Sequence, residues 1–149
     1  MQAISTKVSV IPIIAKADSM TAEETVSFRA FVLNECEKHQ IHLFDFGEEA
    51  KKAVGIPPTL IVPPFAVVAS NKFDEVRGSG SFWPVRDYHW GTCEAFSTQH
   101  SDGTYLKRLL LEEGFHDLRR ATEIRYLEYR REYYKKQEED VARSATRHK

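Results

Sequence analysis

Lys16 and Asp18 close a near-continuous apolar run, Val8-Ser9-Val10-Ile11-Pro12-Ile13-Ile14-Ala15. Such a run, rich in β-branched residues, predicts a parallel strand buried on both faces. Open α/β sheets bind ligands at the carboxyl ends of their strands, where this cation and carboxylate fall. An aspartate there can accept two hydrogen bonds from the ring N–H and exocyclic amine of guanine, a pair that adenine lacks. Hydrogen bonds to a charged partner are worth about 1.5–3 kcal/mol each, enough to choose between the two purines. The Lys16 stem can lie along base and ribose while its ammonium reaches the ring oxygen. Alone, Lys-x-Asp also describes two solvated charges at a strand end, so its flanks must decide. Cys36-x-x-His39-x-x-His42 has the residue types of a zinc site, but His42 falls on a different element and no fourth ligand has suitable spacing. No Gly-x-Ser-x-Gly occurs, so triad hydrolase chemistry has no support.

The elements that must position these residues alternate between strand and helix. Thr21-x-x-Glu24 is a capping box that starts a helix directly after Asp18. Phe28, Phe31, Val32 and Cys36 place apolar groups at helical spacing along it. Ile41–Phe44 predicts a short strand, and the polar stretch 47–53 a helical turn or a loop. Pro57, Pro58, Pro63 and Pro64 limit Thr59–Val62 to an irregular or edge segment. Phe65–Ala69 predicts a second buried strand. Phe73–Arg77 and Phe82–Arg86, separated by Gly78-Ser79-Gly80-Ser81, read as a hairpin with a flexible tip, and Trp90–Phe96 as a third strand completing a meander. Helices resume near Gly103, with a break at Gly114.

The chain has 149 residues, 42% of them hydrophobic, and a formal net charge of −1, which is enough for one modest core and favours neither nucleic acid nor acidic substrates. Cys36 and Cys93 lie far apart in unlike contexts, which suits reduced thiols better than a disulfide framework, a lone bridge remaining open. No stretch is long and apolar enough to span a membrane. From Arg119 onward there are ten Lys/Arg against six Asp/Glu. Ile124, Leu127, Tyr134 and Val141 fit one heptad seam there, but Arg131 and Glu138 interrupt it. This segment reads as a solvated helix or as one that binds a partner or an anionic lipid surface.

Four blocks, in order, resemble the septins, a family of filament-forming GTPases. They are Val8-x-Val10-Ile11-Pro12-Ile13-Ile14-Ala15-Lys16-Ala17-Asp18-Ser19-Met20-Thr21-x-Glu23-Glu24; Pro64-Phe65-Ala66-Val67-Val68-Ala69-Ser70-Asn71; Arg86-Asp87-Tyr88-His89-Trp90-Gly91; and His100-x-Asp102 with the following leucine-rich helix, Asp117-Leu118 and Tyr126-Leu127-Glu128-Tyr129-Arg130. The resemblance, from about residue 7 to 131, implies an α/β fold: the C-terminal half of a Ras-like P-loop GTPase domain of septin type, with a small antiparallel meander, C-terminal helices and an incomplete sheet. It divides the chain into a partial G domain, 1–131, and a charged helical tail, 132–149. The open edge of the first strand is expected to template association.

The resemblance also implies roles. Lys16, Asp18, Ala69, Ser70 and Arg86 would contact guanine, Arg86 by stacking on the base. Ala69 replaces the family glycine and still donates its N–H, though a left-handed backbone there would cost about 1–2 kcal/mol. Tyr88 and Trp90, with Glu24 near the ribose across the contact, would belong to a subunit interface. His89 stands in place of the family proline, leaving the local turn open. GTP or GDP is the implied ligand, at its guanine end only. No Gly-x-x-x-x-Gly-Lys-Ser/Thr and no Asp-x-x-Gly occur, so phosphate and magnesium ligands are absent from this chain and no hydrolysis by it alone is expected. Other septin subunits are the implied partners, with an anionic membrane surface facing the basic helix and no nucleic acid. The implied location is a cytoplasmic septin ring or filament. A nucleotide-free interaction module derived from a septin is the alternative.

Overall fold

The computed structural model describes residues 2–75 and 80–147, with the side chains of the last helix described through residue 139. A short helix, α1 (Gln2–Ser5), leads to β1 (Ile13–Ala15), a 3₁₀ turn (Ala17–Ser19) and the long helix α2 (Ala22–Lys38). Then come α3 (Glu48–Val54), β2 (Phe65–Val67), and a meander of β3 (Phe73–Glu75), β4 (Phe82–Tyr88) and β5 (Gly91–Glu94). Helix α4 (Gly103–Arg108) runs through a π-helical turn (Leu109–Glu113) to α5 (Phe115–Arg147).

β1 and β2 pair in parallel, Ile13 opposite Phe65 and Ala15 opposite Val67. Among the described residues β1 has no second strand neighbour. That single neighbour explains why the eight-residue apolar run yields only a three-residue strand. It also corrects the expectation of burial on both faces: Ile14 is buried, whereas Ile13 is 52% exposed. The expected 41–44 strand reduces to one parallel bridge, Leu43 to Val10, with the Phe44 N–H donating to the Val10 carbonyl at 2.8 Å. The meander forms as expected, β4 lying between β3 and β5. Residues 78 and 79 of the flexible tip expected at 78–81 lie outside the described residues.

Two clusters hold these parts together. Phe44, Phe46, Val54, Ile56, Val62, Phe65, Leu106 and Leu109 pack α3 and α4 against β2. Ile14, Ala17, Ala66, Val68, Cys93 and Ala95 join the parallel pair to the meander. Both cysteines are buried free thiols. Helix α3 ends on Gly55 at φ 85°, a left-handed stop that glycine adopts without Cβ strain. The Arg108 guanidinium donates to the freed carbonyls of Val54 at 2.9 Å and Ala53 at 3.4 Å. Gly114 is set by space: a Cβ there would lie 2.5 Å from the Leu109 oxygen and 2.6 Å from the Phe46 ring.

Helix α2 departs from its expected orientation. Phe28 and Phe31 stack on each other at the surface, centroids 6.1 Å apart, and Arg29 and Cys36 are the buried residues. The inward stripe is Arg29, Val32, Leu33 and Cys36, because the Arg29 guanidinium has buried partners that the phenylalanines lack. Helix α5 runs unbroken past residue 131, where the sequence suggested a boundary. Its seam residues Ile124, Leu127 and Tyr134 are exposed, and the Val141 side chain lies outside the described residues. Near its start α5 is fastened to α1: Arg125 donates to the carbonyls of Ser5 at 2.5 Å and Val8 at 3.0 Å. The Lys7 ammonium lies 5.6 Å from the Tyr129 ring centre.

Candidate nucleotide site

The parallel register of β1 and β2 brings their carboxyl ends side by side, and β4 closes the space from the meander. The result is an open cavity of about 590 Å³ lined by Ala15, Lys16, Val67, Ala69, Ser70, Asn71 and Arg86. Lys16 has left-handed backbone angles, φ 56° and ψ 44°, which are uncommon for a non-glycine residue. The Ser19 N–H and hydroxyl both donate to its carbonyl, at 3.0 and 2.7 Å, and hold the turn. Ala69 does not have a positive φ, so its Cβ carries no left-handed penalty. The Ser70 hydroxyl accepts from the Lys72 N–H at 3.1 Å.

Asp18 sits differently from its neighbours. Its side chain is only 1% exposed and forms an ion pair with Arg86, at 3.0 Å. The Tyr88 hydroxyl donates to the same carboxylate. That hydrogen bond, with burial and the Asp18 charge, raises the Tyr88 phenol above its ordinary pKa, so it remains a donor. Asp18 lines a second cavity, of about 400 Å³, together with Arg29, Trp90 and Cys93. Burial first, then the Asp18 charge, pushes the Cys93 thiol up and keeps it protonated. Of the five residues singled out for guanine, Lys16, Ala69, Ser70 and Arg86 thus share one cavity, and Asp18 lines the other.

His89 and Trp90 form the tight turn between β4 and β5, so the chain reverses there without the family proline. Trp90 is 74% exposed and stacks on Tyr88, centroids 4.7 Å apart and planes 3° from parallel. Glu24 completes the capping box: the Thr21 N–H donates to its carboxylate at 2.8 Å, and the Glu24 N–H donates to the Thr21 hydroxyl at 3.2 Å. Among the described residues no group of three His, Cys, Asp or Glu side chains could hold a metal ion.

Three exposed carboxyls have lowered pKa values, each for a local reason. Thr21 lowers Glu24, Lys38 lowers Glu35, and Lys72, then Thr92, lower Asp87. A carboxyl depressed on folding stabilises the fold above its unfolded value, and the contribution is lost as pH falls through the folded value. The melting temperature should therefore stay level from neutral pH toward about pH 5 and decline below about pH 4, where unfolded carboxyls protonate. A melting series from pH 7 to 3 checks this; a flat series would contradict it.

A buried node beside the site joins Asp102, of the His100-x-Asp102 block, to Arg29, which was not singled out from sequence. Arg29 of α2 meets Asp102 at 2.5 Å and also donates to the carbonyls of Pro64 at 2.6 Å and Ile61 at 3.3 Å. Asp102 accepts from the Ala66 N–H at 2.7 Å through its side chain and returns its own N–H to the Ala66 carbonyl at 2.8 Å. The Ser101 hydroxyl accepts from the Val68 N–H at 3.1 Å. The available signal was an arginine within the apolar spacing 29, 32, 33, 36.

The fold, a parallel strand pair flanked by helices with an added antiparallel meander, is the partial α/β fold of half a Ras-like GTPase domain. The comparisons with known proteins are specific about which kind. A family model described as Septin matches residues 1–143. Protein peanut of Drosophila melanogaster is 35% identical over 138 residues, which cover 87% of this chain and 25% of peanut. Human Septin-11 is 32% identical over 133 residues, covering 88% of this chain and 30% of the human protein. The crystal structure of the septin GTPase domain from Chlamydomonas reinhardtii matches with a TM-score of 0.78 at 32% identity, over 88% of this chain and 51% of that one. The chain belongs to the septin family. It spans about a quarter to a third of the length of the curated relatives it matches.

Proposed function

We propose that this chain supplies the guanine-recognition and subunit-contact half of a septin, acting in a septin filament or ring. The observation that carries the reading is the convergence of Lys16, Ala69, Ser70 and Arg86 on one cavity at the carboxyl ends of two parallel strands. Guanine enters this cavity with its base between the Lys16 stem and the Arg86 guanidinium, and the Ala69–Ser70 backbone N–H groups face the base oxygen. Asp18 selects guanine by exchanging Arg86 and Tyr88 for the ring N–H and the exocyclic amine. A carboxylate has about four acceptor positions, so the two base donors can take the places that Arg86 and Tyr88 give up. GTP or GDP is the ligand, and phosphate and magnesium contacts come from outside this sequence.

Titration with a fluorescent guanine nucleotide, competed by GTP or ATP, tests the reading. Asp18→Ala should weaken guanine binding by about 1–3 kcal/mol, leaving adenine binding unchanged. An Asp18→Ala chain that keeps full guanine preference would sink the assignment. Failure of the parent to bind nucleotide, with subunit binding intact, would favour the nucleotide-free interaction module.

The exposed Trp90, stacked on the half-buried Tyr88, is the proposed anchor of contact with another septin subunit, since buried aromatics dominate interface energetics. Trp90→Ala should reduce co-purification with a septin partner without changing the helical circular dichroism of the free chain. Loss of helicity instead would assign Trp90 to the core.

A further inference from the structure

We propose that Arg29 and Asp102 are positioning residues that set the spacing of the two loops around the base-facing cavity. The inference rests on the guanine reading above. β2 is paired with β1 on one edge only, and its other edge has no strand partner among the described residues. Two residues substitute for a strand there. Asp102 takes both backbone groups of Ala66, and Ser101 takes the N–H of Val68. The residues on either side of Val68 line the cavity, Val67 before it and Ala69 and Ser70 after it. The same Ser101 hydroxyl accepts from the Gly103 N–H at 3.0 Å, so it is fixed from both sides.

Arg29 extends this clamp to the other loop. It stands on α2, whose capping box begins three residues after Asp18. Its guanidinium reaches Asp102 and, through the carbonyls of Pro64 and Ile61, the segment that feeds β2. Its two terminal nitrogens divide these contacts, Nη2 to Asp102 and Nη1 to both carbonyls, a spread that a single ammonium nitrogen does not match. The helix after Lys16–Asp18 and the strand before Ala69–Ser70 are therefore tied through one buried pair. A buried ion pair is poor evidence of stabilisation, because apolar replacements of equal volume are often as stable. What this pair supplies is a fixed geometry between helix and strand.

Arg29→Lys in the full chain is the test, since it keeps the charge and removes the fork. Amide hydrogen exchange at 66–71 should accelerate about tenfold, while exchange in α3 and α4 stays at parental rates. Fluorescent guanine nucleotide should bind several-fold more weakly. Unchanged exchange at 66–71 would overturn the proposal, and so would acceleration spread evenly over α3 and α4, the mark of a general stabiliser. A parent that prefers neither GDP nor ADP would reject the guanine reading on its own, with the exchange pattern still deciding whether the pair fixes the 66–71 segment.

Discussion

Asp102→Ala is expected to cost about 3–5 kcal/mol of folding stability, the usual result of removing one partner of a buried ion pair. The loss has two parts. Arg29 would remain buried with its charge uncompensated, and the Ala66 N–H would lose its acceptor. Domains of this kind are stable by only about 5–15 kcal/mol, so the variant should be partly unfolded under mild conditions. Denaturant titration measures the shift directly. A change under about 1 kcal/mol would mean that water reaches the site and rescues both groups, contrary to the burial of both side chains.

Phe46→Ala should cost a similar amount, about 3–5 kcal/mol, through lost burial and the cavity left behind. Its ring is almost fully buried and packs edge-on against Phe44 at 5.0 Å and Phe65 at 6.2 Å. The same ring fills the space that a side chain at Gly114 would need. Gly114→Ala alone should therefore destabilise by about 1–3 kcal/mol through overpacking. In the Phe46→Ala background its penalty should shrink, leaving only the conflict with the Leu109 carbonyl. A double-mutant cycle with strictly additive energies would show that the two residues do not compete for this volume.

The features legible in the sequence were those fixed by near neighbours. Thr21 and Glu24 are three residues apart, and their capping box forms as the local pattern requires. The two apolar strands and the meander likewise announce themselves through short-range alternation and turn residues. What escaped was set by partners far along the chain. Arg29 finds Asp102 73 residues away, and that contact rotates α2 so that Phe28 and Phe31 face outward. Asp18 finds Arg86 68 residues away and Tyr88 70 away, which turns its carboxylate from the cavity that Lys16 lines. The length of β1 was overestimated for a related reason: an apolar run reports what could be buried, and the number of neighbouring strands decides how much is.

Arg125 gives the long last helix a mechanical meaning. At 1.5 Å per residue, the 33 residues of α5 make a rod of about 50 Å. Among the described residues it is anchored in its first half, where Leu118 and Ala121 pack against the core and Arg125 grips the carbonyls of Ser5 and Val8. Those two carbonyls stand on the segment that leads into β1 and the turn bearing Lys16 and Asp18. The Arg125 guanidinium is thus the polar tie between the rod and the stretch of chain that enters the sheet.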